Sequence, residues 1–88
     1  MPNQIVEEVL YRDQINALRI NWQRLDEAFD TLQDAVLLIP DIFPQVPGTK
    51  LRRVQLVGFS GIPPLSIYFA VLNDCAHLVA AELISGED

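Results

Sequence analysis

Leu65-Ser66-Ile67-Tyr68-Phe69-Ala70-Val71-Leu72-Asn73-Asp74-Cys75-Ala76-His77-Leu78 is the stretch that decides the fold. An aromatic-bearing apolar run reaches an Asn-Asp pair, and a second apolar run begins at once. A connection this short suits a tight hairpin turn, so residues 65–72 and 75–84 read as antiparallel strands. Both faces of the first run are largely apolar, which predicts a central place in a sheet.

Working back towards the amino terminus, residues 60–64 read as a loop and residues 51–59 as another strand. Val46-Pro47-Gly48-Thr49 fits a type II turn, with Pro second and Gly supplying positive φ third. Pro40, Pro44 and Pro47 divide an extended connection ahead of it. The clearest helix comes before that connection. Trp22, Leu25, Phe29, Leu32, Val36 and Ile39 are spaced 3, 4, 3, 4 and 3 apart, which places them on one helical face. Asn21 stands as its N-cap and Pro40 closes it. The stripe is too short for a coiled-coil seam and predicts a helix packed on a sheet. Asp26, Glu27, Asp30 and Asp34 on its other faces read as a solvated surface rather than a metal cluster. Residues 12–18 turn helical around Ile15 and Leu18, with Asp13 as a cap. Residues 4–10 read as a strand or as the opening of that helix, with the strand preferred.

The expected architecture is therefore α+β: an N-terminal strand, a helical hairpin, then a three-stranded antiparallel meander, all within one domain over residues 1–88. With 88 residues there is no room for a second core. The net charge of −6 argues against a broad electrostatic grip on nucleic acid or an anionic membrane, while leaving room for a local basic site. The single cysteine, Cys75, excludes an internal disulfide, and one Cys with one His cannot hold zinc alone. No cofactor or metal is expected. Residues 1–8 have neither a basic nor a long apolar segment, so no signal peptide is expected there. Residues 54–73 carry no charge, but Gly58, Gly61, Pro63 and Pro64 break any spanning helix. The expected location is cytoplasmic, away from membranes.

The element order and several local motifs resemble the RelE/ParE toxin superfamily. Val46-Pro47-Gly48-Thr49-Lys50-Leu51 is similar to a PGT turn leading into the second strand in one branch of that superfamily. Gly61-Ile62-Pro63-Pro64-Leu65-Ser66-Ile67-Tyr68-Phe69 resembles its proline-bearing loop before an aromatic third strand. Asn73-Asp74-Cys75-Ala76-His77-Leu78 resembles its acidic hairpin turn. The resemblance spans residues 11–84. It implies the toxin of a type II toxin–antitoxin pair with a cognate antitoxin as partner. RelE-like members are ribosome-dependent endoribonucleases that polarise the scissile phosphate with Lys and Arg; ParE-like members poison DNA gyrase. For a RelE-like role, the ribosome or mRNA would be the target.

The sequence departs from the nuclease pattern. Ser66 or Leu65 stands where an arginine is expected, the last strand offers His77 but no Lys or Arg, and nothing basic follows Arg53. Extra phosphate charge in the transition state would find little to stabilise it, so mRNA cleavage is not expected. Lys50, Arg52 and Arg53 form the one basic cluster. It reads either as a nucleic-acid or partner-binding edge or as a charged edge that discourages aggregation. Arg12, Arg19 and Arg24 read as partners for helical carboxylates. Tyr68 and His77 are the candidates for proton transfer. Tyr68 more simply packs across strands. His77 alternates with Val79 and Ala81 and reads as structural, although imidazole is the side chain suited to changing charge near neutral pH. Cys75 has no neighbour that would activate it. The alternative to a toxin is a non-catalytic protein-binding or self-associating domain, such as a homodimer, with the same fold.

Overall fold

A computed structural model describes residues 3–19, 25–57 and 64–84. The element order is β1 (Gln4–Glu7), α1 (Val9–Arg19), α2 (Leu25–Leu38), a single 3₁₀ turn (Pro40–Ile42), β2 (Arg52–Leu56), β3 (Leu65–Leu72) and β4 (Cys75–Leu83). The strands make one sheet in the order β1-β4-β3-β2. The expected α+β class is present, but the sheet is four-stranded and mixed rather than a three-stranded meander with a strand ahead of it. β2, β3 and β4 run antiparallel, and β1 joins β4 in parallel with Gln4 beside Cys75 and Glu7 beside Leu78. The helices intervene between β1 and the hairpin strands, and such a crossover is what allows a parallel neighbour.

The hairpin forms as its sequence dictates. Asn73 and Asp74 both adopt positive φ, 52° and 63°, as a two-residue turn of the favoured hand requires. Val46 accepts a hydrogen bond from the Thr49 amide at 3.1 Å. Gly48 has φ +77°, the positive value that the third place of a type II turn needs. β2 is shorter than expected, ending at Leu56, and Phe59 lies outside the described residues.

Residues 4–10 split between the two structures expected for them. The Glu8 amide donates to the Leu78 carbonyl at 3.0 Å as the last link to the sheet, and the Arg12 amide donates back to Glu8 at 3.0 Å. The helix therefore starts at Val9, and Asp13 lies inside it rather than capping it. Val9 and Leu10 are exposed, while Tyr11, Ile15 and Leu18 face the core at helical spacing. In α2, Phe29, Leu32 and Val36 are buried as the stripe predicts. Ile39 is past the helix and half exposed, because the Pro40 turn carries the chain away from the sheet. Trp22 and Asn21 fall outside the described residues. Asp26, Glu27, Asp30 and Asp34 are all exposed. Where an extended connection is expected after Pro40, the backbone first makes the 3₁₀ turn.

The helices cover one face of the sheet. Tyr11 and Phe29 meet edge to face at 6.4 Å between the two helices. Beneath them lie Val54 and Leu56 of β2, Leu65, Ile67 and Phe69 of β3, and Ala76, Leu78 and Ala81 of β4. β4 carries an irregularity that decides what its other face holds. Tyr68 pairs with Ala80 but Phe69 pairs with Leu78, so Val79 is an extra, bulged residue. His77 and Ala81 therefore lie on opposite faces of the sheet. This corrects the simple alternation, which places them together. Ala81 joins the core and His77 turns away from it.

Candidate functional site

The face of the sheet away from the helices carries its chemistry-bearing side chains. Arg53 on β2 sits directly across from Tyr68 on β3, and Ser66 lies between Gln55 and Glu82 on its two neighbours. Alternation along each strand puts Arg53, Ser66, Tyr68 and Glu82 on this one face. Arg53 Nε donates to Ser66 Oγ at 3.3 Å, and the Tyr68 hydroxyl donates to Glu82 Oε1 at 2.8 Å. Both contacts are diagonal, within reach of long side chains on adjacent strands. Ser66 is only 2% exposed, and the arginine supplies the partner that a buried hydroxyl needs.

The Glu82 carboxylate, by accepting the phenolic proton's hydrogen bond, raises the Tyr68 pKa above its ordinary value. Burial and the carboxylate's charge add to that rise, while the Arg53 charge and the Ser66 hydroxyl oppose it. Tyr68 is therefore a held hydrogen-bond donor at neutral pH, not a phenolate base. Beside these groups, Pro44, Gln45, Val46 and Pro47 form the wall of a shallow groove of about 180 Å³ that Arg53 and Tyr68 complete.

His77 lies further along the same face, opposite Ala70. Its Nδ1 is 2.8 Å from Glu8 Oε2 at the β1–α1 junction. Tyr68 and His77 thus share a face but have separate carboxylate partners. Cys75 Sγ is 3.8 Å from Gln4 Oε1.

The three basic candidates do not converge. Lys50 is exposed on the approach to β2. Arg52 points to the helical side, where its guanidinium donates to the Phe43 carbonyl at 2.7 Å and lies 3.6 Å from Asp41. Arg53 is left as the only arginine or lysine that the described strands contribute to the open face. The outer edge of β2 also meets the chain's own backbone: Val46 N–H donates to the Leu51 carbonyl at 2.8 Å and Arg53 N–H to the Pro44 carbonyl at 2.9 Å.

Sequence reasoning missed Glu82 and Glu8 as the partners of Tyr68 and His77. A hairpin without the bulge would set Glu82 opposite Leu65, on the core side. Only the extra residue in β4 brings its carboxylate to Tyr68.

No family model and no curated protein matches the sequence. Among solved structures, the fold matches a chain in the crystal structure of the intact E. coli RelBE toxin–antitoxin complex with a TM-score of 0.67. The match covers 93% of this chain and 96% of that one at 10% sequence identity. The chain has a RelE-like toxin fold.

Proposed function

We propose that this chain is the toxin-fold member of a type II toxin–antitoxin pair, a cytoplasmic protein that acts by binding a cognate antitoxin and other protein, without cleaving mRNA. The observation that carries this reading is the likeness of nearly its whole length to nearly the whole of a chain in a toxin–antitoxin complex. The disposition of charge supports the non-catalytic part. Phosphoryl chemistry gains most from cations aimed at developing negative charge. Here Arg52 is bonded to Phe43 and Asp41 on the other side of the sheet, Arg53 is bonded to Ser66, and the Tyr68 hydroxyl points to a carboxylate. Glu82 also sets a negative charge beside Tyr68, which disfavours an anionic ligand on this face.

The test is co-expression with the product of the adjacent small reading frame, followed by purification through a tag on this chain. Co-purification in a fixed ratio is the expected result; a neighbour that never associates sinks the pairing. Purified protein on programmed ribosomes is expected to leave mRNA intact. Reproducible cleavage that Arg53→Ala abolishes would show a nuclease after all.

A further inference from the structure

A second surface is unlike the polar face. At the far end of β3, Leu38, Ile39, Ile42 and Val71 line an apolar groove of about 380 Å³ beside Arg52. Leu38 and Ile42 are each 64% exposed, and Ile39 and Val71 are half-exposed beside them. Clustered exposure of branched apolar side chains marks a surface that another molecule covers.

The charge around the groove says what that molecule is. Pro40 has no N–H to offer the Val36 carbonyl, and α2 has no basic residue in its last turn. The partial negative charge at the end of α2 is therefore unanswered by its own helix. Asp41 stands at the rim, 93% exposed; among the described residues its ion-pair partner is the more covered Arg52, 3.6 Å away, which leaves most of its carboxylate open to a partner. The Arg52 guanidinium itself is turned to the Phe43 carbonyl. The whole chain carries −6, so a second copy would bring the same negative rim to the same place.

We propose that this groove seats a basic amphipathic helix of a partner protein, with apolar side chains in the groove and Lys or Arg against Asp41 and the carbonyl end of α2. The proposal rests on the reading of the chain as a protein-binding member of a pair, and adds the seat and the chemistry of the segment that fills it. An amphipathic helix suits the shape, since side chains one turn apart reach a groove bounded by a helix end and a strand.

Two designed helical peptides test it, with identical Leu spacing and either Lys or Glu at every polar position. Each is titrated into the isotopically labelled full chain and followed by amide chemical shifts. The Lys peptide is expected to move the amides of Leu38, Ile39, Asp41, Ile42 and Val71, and to bind about tenfold or more tightly than the Glu peptide. Ile42→Asp and, separately, Asp41→Lys should each weaken it by about tenfold with the rest of the spectrum unchanged. Asp41→Lys leaves every apolar residue in place, so it tests the rim even where Ile42→Asp disturbs the turn. Equal binding of the two peptides, no binding by either, or shifts centred on Asp26, Asp30 and Asp34 would overturn the proposal. So would a concentration-dependent dimer that moves the groove amides without peptide. A neighbouring gene product that co-purifies but leaves these amides unmoved would refute the seat alone and leave the pairing intact.

Discussion

Tyr68 and Glu82 are fourteen residues apart, yet the phenol hydroxyl of one rests 2.8 Å from the carboxylate of the other across the β3–β4 pair. The contact fixes the protonation of Tyr68 and closes the polar row that begins at Arg53. It makes the phenol a sensitive reporter of the open face.

Glu82→Gln should lower the Tyr68 pKa towards the ordinary tyrosine value, because the accepted hydrogen bond and the negative charge both weaken. The sign for stability follows from the native value lying above the unfolded one. The stabilisation is complete below the unfolded pKa, near 10, and is lost as the pH rises through the higher folded value. Ultraviolet titration of the parent and Glu82→Gln, with Tyr68→Phe leaving the Tyr11 signal alone, checks the shift. An unchanged titration in Glu82→Gln would show that the pair does not persist in solution.

Phe29 is 4% exposed and meets the Tyr11 ring across the two helices. Phe29→Ala should cost roughly 3–5 kcal/mol through lost burial and the cavity left behind. A thermal melt is the measurement, and a midpoint equal to that of the parent would remove Phe29 from the core.

The two arginines of β2 should respond unequally. Arg52 holds the Phe43 carbonyl with a charged donor, so Arg52→Ala should cost about 1.5–3 kcal/mol and loosen the Pro40–Ile42 turn. Arg53→Ala leaves the buried Ser66 hydroxyl without that donor and should cost about 1–3 kcal/mol while leaving the Pro40–Ile42 turn in place. Urea unfolding gives the two losses and amide shifts of residues 41–43 report the turn; a turn disturbed by Arg53→Ala and untouched by Arg52→Ala would contradict the assignment of the two side chains to opposite faces.

Asp74 holds φ 63° without being glycine. Asp74→Gly should stabilise the hairpin by about 0.5–1 kcal/mol, as the Cβ is what makes that conformation costly. Asn73→Val should destabilise, since a β-branched residue fits positive φ poorly. Denaturant midpoints that shift in the opposite directions would mean that the turn is of another type.

What could be read from the sequence was local. The Phe29, Leu32 and Val36 stripe, the Asn73-Asp74 turn and the Val46–Thr49 turn each depend on residues a few places apart. What escaped it was set by distant pairing. The strand-to-helix change at Glu8 depends on the Leu78 carbonyl, and the parallel place of β1 depends on β4. The RelE-like resemblance was legible from the order of motifs, and the fold bears it out. Lys50, Arg52 and Arg53 were legible as a cluster in sequence only. Alternation along the strand parts the arginines, and no neighbouring residue signals that Arg52 reaches back to Phe43.

The single extra residue at Val79 gives β4 two independent phases. Upstream of it even-numbered positions point to the helices, as Ala76 and Leu78 do; downstream the odd-numbered Ala81 does. Deletion scanning would treat this strand very differently from substitution scanning. Excising Val79 removes the bulge yet leaves Ala80 opposite Tyr68, Ala81 opposite Ile67 and Glu82 opposite Ser66, so every later residue keeps its face. Removing Ala80 as well would bring Glu82 opposite Ile67 on the core side, and the carboxylate that now holds Tyr68 would become an unpaired buried charge.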